Sequence, residues 1–511
     1  MLFDFLEQYL RRLEGPLAVQ VWGRFLQLAK DLSSVFREFK SQAFSALRCF
    51  VVLADKMSQT SAIEDRRVRK ELQDVFSKLV ELCLLAGRSY DQGSWMRRHA
   101  LAVNGTGRDS PILRDTKLDD KVNSSSTSLP DAVKLPWSTD LVDQIYTYLA
   151  FDVVPNLRKF LVDSDKVLAL CTSIVSTIIA PVVKGRPRPL DVDGAILSIL
   201  REMTKLSAAM KAWRGPIVDI LNDNRCFNSS AEGGKRWRVL VKMLFETDKT
   251  ALTELLSRIT TAPSANIFTN REYEMLLRSL NLRRLSYVLL TGEKNQFLTQ
   301  LPTIQEKLVD TLRSVTAPIV QSEVYLCVRV LLCRLSPHNL SSFWPVILTE
   351  LYRAFEQVTG SLPSDGSEEL GLILAASKLL DLLLVLQTEE FQIHQWIFIT
   401  DTVDAVYRPD QWSPAAMLDR LAEIVGELPG EGSSKHLDHG VSTSPTTPSV
   451  GTRILRRPFL RNLHQLDSIR DLVPFFNQAS IAYYESVYSS DGRVDWEAVE
   501  EGLYEDMFEG R

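Results

Sequence analysis

Two eight-residue stretches, "LPTIQEKL" at residues 301 to 308 and "WPVILTEL" at residues 344 to 351, constrain the fold of this chain more than any other feature. Each opens on an apolar residue followed by proline, with isoleucine two and leucine six positions after the proline, and the copies stand 43 residues apart. Proline fits the first turn of a helix, where its missing N–H would lack an intrahelical partner anyway. Isoleucine and leucine four positions apart stack on one helix face. "VPNLRKFL" at residues 154 to 161 is a weaker third copy, with Leu157 and Leu161 in the matching places. A period of 43 lies within the roughly 40–47 residues of HEAT and armadillo units, helix pairs that bury their apolar faces by stacking on neighbours. The expectation is an all-α fold, an α-solenoid of HEAT/armadillo-like helix pairs with disordered linkers.

The surrounding pattern agrees. In "SEVYLCVRVLLCRL", residues 322 to 335, only Glu323, Arg329 and Arg334 are charged, as in a helix enclosed on several sides. Apolar residues recur at helical spacing at Leu72, Val75, Phe76, Leu79, Val80, Leu82 and Cys83, and again at Met417, Leu418, Leu421, Ile424 and Val425. Ser336-Pro337 reads as an N-cap with proline at the first helical position, starting a short helix that Trp344-Pro345 ends and restarts. Polar stretches rich in Gly, Ser and Pro divide the chain. The expected organisation is an N-terminal helical segment over 1–88, a disordered linker over 89–134, and a HEAT-like solenoid over 135–426. A second disordered linker over 427–452 and a C-terminal helical segment over 453–511 complete it.

Composition excludes several classes of function. A formal net charge of -5 on 511 residues argues against neutralising a nucleic-acid backbone as the main task. Cys49, Cys83, Cys171, Cys226, Cys327 and Cys333 lie in apolar segments with no CxxC pair, as buried thiols of a reducing compartment do. The sequons at Asn104, Asn123, Asn228 and Asn339 accompany no secretory signal. Val167 to Val183 runs 17 residues without a charge, but its four Ser/Thr residues and Pro181 favour a core helix over a membrane span. A similar segment from Leu370 carries Lys378 and Asp381.

No catalytic, metal-binding or cofactor constellation stands out. His99, His338, His394, His436, His439 and His464 form no HExxH, and GxSxG, Walker and GxGxxG patterns are missing. His338 reads as an exposed residue of a first helical turn, and His436 and His439 as linker residues. Glu368-Glu369 and Glu389-Glu390 stand at helix starts, where carboxylates complement the macrodipole.

Charge patterning is more informative. Lys235, Arg236, Arg238 and Lys242 surround Trp237, while Arg453, Arg456, Arg457 and Arg461 accompany Phe459. Each cluster is a candidate for anionic lipid headgroups, set against the plainer reading of a helix flank paired with nearby carboxylates. Ser444 and Thr447, each before proline, are candidate phosphosites whose added charge would weaken lipid binding by the second cluster. The final "VDWEAVEEGLYEDMFEG" holds seven acidic residues, with Trp496, Val499, Leu503 and Met507 able to share one helical face. This acidic amphipathic helix either caps the array or docks into a partner's groove.

The succession "LRRLSYVLLTGE", "LPTIQEKL", "VRVLLCRLSP" and "LSSFWPVILTEL" over residues 276 to 358 resembles the carboxy-terminal region of the Dopey family. The likeness extends to "DVVPNLRKFLVDSDKVLALCTSIVSTIIAPVVK" and "HQLDSIRDLVPFFNQASIAYYESVY". The resemblance implies a non-enzymatic scaffold in vesicle-mediated transport between endosomes and Golgi, peripheral on the cytosolic face of those membranes. Its implied partners are a helical-repeat scaffold related to Arf exchange factors and a type IV P-type ATPase that flips phospholipids. The second reading is a module that binds phosphoinositides directly. Dopey proteins are much longer and begin with a separate domain, so the chain resembles a carboxy-terminal portion or a shortened product.

Overall fold

The computed structural model describes residues 2–34, 40–105, 137–260, 271–399, 416–426, 455–488 and 492–509. The chain divides into two units, Met1–Arg186 with Val192–Asp219, and Pro187–Asp191 with Ile220–Arg511. Among the described residues both are helical, and the strands are two residues long: β1 (Leu455–Arg456) pairs in parallel with β2 (Arg493–Val494).

The first unit holds α1 (Leu2–Arg12), α2 (Gly15–Ser34), α3 (Lys40–Ser58), α4 (Arg66–Gly105), α5 (Trp137–Tyr148), α6 (Leu157–Phe160), α7 (Ser164–Ile174), α8 (Ala180–Gly185) and α9 (Gly194–Thr204). The division between units falls within α10 (Met210–Asn222). Helix α3 packs against α1, α2 and α4. Its core is aromatic, with Phe50 beside Trp22, Phe25 and Phe76.

Two expectations need correction here. Helix α4 continues to Gly105, past the linker boundary expected at residue 89. The stretch "SYDQGSWMRRHALAVNG" is polar, but Gly93 alone interrupts residues of fair helix propensity before the terminal Gly105, so polarity did not mean a break. The rest of that linker, and the one over 427–452, lie outside the described residues. The third proline copy also differs: Pro155 sits in a turn after a π-helical segment, Leu149–Val153, and does not start a helix. Only four-residue α6 follows, because Asp163 already caps α7 by accepting from the Asp165 N–H.

Helices α7 and α8 join through a second π segment, Val175–Ile179, into one run, Ser164–Gly185, long and apolar enough by length and composition to cross a membrane. Its Val167, Leu170, Cys171, Ile174, Ile178 and Ile179 are buried in the unit while Ala169, Thr172 and Ser176 face outward. The apolar side is therefore consumed by internal packing.

The second unit contains α11 (Ala231–Thr247), α12 (Lys249–Thr260), α13 (Arg271–Thr291), α14 (Leu301–Ser314), α15 (Pro318–Arg334), α16 (Trp344–Gly360), α17 (Glu368–Leu386) and α18 (Glu389–Gln392). It ends with α19 (Met417–Gly426), α20 (Val473–Tyr488) and α21 (Trp496–Phe508). Helices α12 and α13, α14 and α15, and α16 and α17 form successive HEAT-like pairs. The second members, α13, α15 and α17, pack side by side as an inner layer. Pro302 and Pro345 stand in the first turns of α14 and α16, with Ile304, Leu308, Ile347 and Leu351 buried, as the repeat predicts. Asn295, held at a positive φ of 64°, ties two loops together. It donates to Ser336 Oγ (3.0 Å) and accepts from the Ser336 N–H (2.9 Å) at the start of a short 3-10 helix, Pro337–Leu340. His338 is exposed on that turn.

Candidate functional site

The inner helices are buried on nearly all sides, yet they carry charge. Arg283 on α13, Glu323 and Arg329 on α15, and Lys378 and Asp381 on α17 are all at most 9% exposed. A charge removed from water is costly unless it is paired and hydrogen-bonded. Arg329 and Lys378 meet their carboxylate on α21, and Arg283 meets its own on α15. Arg329 Nη1 donates to Asp506 Oδ2 at 2.6 Å, and Lys378 Nζ donates to Asp506 Oδ1. Arg283 grips Glu323 through Nε (2.8 Å) and Nη2 while Nη1 donates to the Met507 carbonyl at 3.1 Å. Each inner helix thus sends one cation to two adjoining residues of the C-terminal helix.

Burial alone would raise the Asp506 carboxyl, but Lys378 and Arg329 hold it well below the usual carboxylate range. Burial lowers the Lys378 ammonium against the opposing pull of Asp506. Asp381 is pushed up to about 6 by burial, although it accepts from the backbone N–H of Leu460 at 2.8 Å and is also bonded by the N–H of Phe459. That contact lays the stretch after β1 across α17, and His464 Nδ1 comes within 3.4 Å of Asp506.

The two basic clusters converge on the same helix. Lys235 donates to Glu501 (2.8 Å), Arg238 to Glu500 (2.6 Å), and Arg334 lies 3.0 Å from Glu500. Arg461 bridges Glu501 (2.5 Å) and Glu505 (3.2 Å), and Arg457 reaches Asp495 at 2.7 Å. Asp495 caps α21 by accepting from the Ala498 N–H at 3.0 Å. Lys242 pairs with Glu293 and Glu246. Trp237, expected beside a lipid surface, is fully buried and donates its indole N–H to the Leu190 carbonyl at 2.9 Å. Its neighbours Lys235 and Arg238 serve the carboxylates of α21, and Arg236 is half-buried on the same helix. The helix-flank alternative therefore describes the Trp237 cluster. Arg456 is half-buried in β1; Arg453, Ser444 and Thr447 lie outside the described residues.

An aromatic seat completes the grip. Phe508 packs against Phe227 (ring centroids 5.3 Å apart) and edge-on to Tyr287 (5.3 Å), which in turn meets Tyr504. The floor is Gly234: a Cβ there would lie 2.3 Å from the Phe508 ring, so only glycine admits it. Tyr287 also donates its hydroxyl to the Gly234 carbonyl at 2.9 Å. Of the residues expected to dock a partner, Val499, Leu503 and Met507 are buried in this seat and Trp496 alone is exposed, at 52%. Trp496 stands apart from the face expected of this helix, and the helix packs chiefly against α11 and the turn Cys226–Asn228. Lys378 and Arg329, cations in helices apolar on every face, were the signal that a distant carboxylate had to meet them.

Burial pushes the Cys171, Cys226, Cys327 and Cys333 thiols up to about 12, which disfavours the thiolate. Among the described residues no group of His, Cys, Asp and Glu is arranged to hold a metal ion.

A stack of helix pairs, with α21 packed on α11 and tied to the inner layer by buried ion pairs, is a helical-repeat architecture. The chain belongs to the DOP1 C-terminal family, whose model matches residues 5–489. It is 28% identical over 527 residues to protein dop1 of Emericella nidulans, covering 99% of this chain and 26% of that protein. It is 26% identical over 518 residues to the DOP1 homolog of Drosophila melanogaster, covering 93% of the chain and 19% of the relative. Against protein DOP1 of Saccharomyces cerevisiae the identity is 22% over 513 residues, with 98% and 26% covered. The chain thus spans about a quarter or less of these relatives' length. No solved structure matches it.

Proposed function

We propose that the chain is a non-enzymatic scaffold acting in vesicle-mediated transport between endosomes and Golgi, on the cytosolic face of those membranes. In this reading it docks a helical-repeat scaffold related to Arf exchange factors and a type IV P-type ATPase. The observation that carries the reading is membership of the DOP1 C-terminal family over residues 5–489. The stacked helix pairs support it, since such arrays present extended surfaces suited to protein docking. The test is affinity purification of this chain from a cell extract. Co-purification of the exchange-factor-like scaffold or the flippase supports the reading, and recovery of neither overturns it for this portion.

Direct phosphoinositide binding through the Trp237 cluster draws less support, because Trp237 is buried and Lys235 and Arg238 are engaged with Glu501 and Glu500. The second cluster keeps Arg457, whose side chain is 63% exposed. Liposome flotation after charge reversal at Arg453, Arg456 and Arg457 tests that cluster, with Asp495→Asn as the control for loss of the Arg457 contact to the cap of α21.

A further inference from the structure

Within the second unit a cavity of about 460 Å³ lies between α13, α15, the first half of α17, the stretch 464–467 and Asp506. That size falls in the roughly 300–1,000 Å³ range of small-molecule sites. Its floor is built from Arg283, Glu323, Arg329 and Lys378, exposed by 8%, 5%, 9% and 5%. With Asp506 this makes three cations against two carboxylates on the wall. The third carboxylate of the network, Asp381, is not on the wall and is occupied by the Leu460 N–H. The cations of the lining, Arg283, Arg329 and Lys378, thus lie at its buried end with their counter-charges Glu323 and Asp506. Glu323 Oε2, Arg329 Nε and Ser367 Oγ have no hydrogen-bond partner among the described residues. Ser367 is the N-cap of α17, a helix whose positive end adds to the same field.

The mouth has the opposite sign. Glu368 and Asp467 border it and are exposed, while Leu326, Leu370, Leu374 and Leu466 line the wall between floor and mouth. Gly371 leaves that wall open, since a Cβ there would meet nothing within 4 Å. A bare anion gains the floor but passes two carboxylates, and an anionic bilayer is repelled at the mouth. A molecule with an acidic head and a protonated amine at opposite ends matches both. We propose that this cavity binds a small organic zwitterion, its acidic head against Arg329 and Lys378 and its amine toward Glu368 and Asp467.

The experiment is isothermal titration calorimetry on the whole chain, with O-phosphoethanolamine and inorganic phosphate as probes. Saturable binding of O-phosphoethanolamine, about tenfold tighter than phosphate, is expected. Lys378→Met should abolish it. Because that variant also removes a buried pair, Glu368→Lys combined with Asp467→Lys provides a second arm at exposed positions: the preference over phosphate should vanish while unfolding stays a single cooperative transition. No binding of either probe at millimolar concentration overturns the proposal. So does equal affinity for phosphate, a preference that survives the double reversal, or tight Lys378-dependent binding to phosphatidylserine vesicles.

Discussion

The outer and inner layers of the second unit are made of similar helices placed in different surroundings. In α14 the buried residues, Leu301, Ile304, Leu308, Thr311 and Leu312, form one stripe, and Glu306 and Asp310 stay in water. In α15 burial is continuous from Glu323 to Leu332, with Arg329 inside it. A charge on the outer layer needs no partner; on the inner layer it must find one. Arg329 and Lys378 find theirs in Asp506 of α21, and Arg283 in Glu323 of α15 with a further bond to the Met507 carbonyl, so buried charge ties the inner layer to a helix that packs mainly on α11.

Removing α21 should break this contrast most severely. Truncation before Trp496 leaves Arg329 and Lys378 without Asp506 and uncovers the seat of Leu503, Met507 and Phe508. The expected result is a fall of more than about 10 °C in thermal midpoint, read by calorimetry, whereas neutralising Glu306 on the outer layer should change little. Next comes Asp506→Asn, which leaves two buried cations with a neutral partner. Urea unfolding should show a loss of about 3–5 kcal/mol, the range for breaking one side of a buried pair.

Gly234→Ala is smaller. Its Cβ must displace the Phe508 ring, and a loss of about 1–3 kcal/mol is expected, with a matching rise in amide exchange along α21. The smallest effect is electrostatic. Asp381 ionises near pH 6 when folded and near about 3.9 when unfolded. The folded state therefore holds the extra proton, and its stability falls as pH rises from about 4 to about 6, by up to about 3 kcal/mol from this group. Asp506 has the opposite sign: its folded value is depressed, so its contribution is present above about pH 4 and lost on acidification. Asp381→Asn should accordingly gain on the wild type, in thermal midpoint, as pH rises through that window.

These predictions also mark what was legible beforehand. Pro302 and Pro345 announced the outer helices because a helix start is a local matter: proline and an i, i+4 apolar pair suffice. The apolar face of α21 was legible for the same reason. Lys378 was visible as a charge in a greasy helix, but its partner stands at residue 506, and nothing in local spacing connects the two. Gly234 gave no local sign of its role, since the ring it admits belongs to Phe508. For the Trp237 cluster the spacing left lipid binding and carboxylate pairing both open, because the carboxylates that meet Lys235 and Arg238 are equally remote in sequence. Polarity alone also set the start of the first linker at residue 89, whereas α4 runs on to Gly105.

The central claim is that inner-layer cations fix the C-terminal helix, and a double-mutant cycle between Lys378 and Asp506 tests it most directly. Lys378→Met, Asp506→Asn and their combination should show a coupling of at least about 1.5 kcal/mol in urea unfolding, with the double variant more stable than the single losses sum to. Additivity within about 0.5 kcal/mol would contradict it, and would mean that α21 is held by its apolar seat alone.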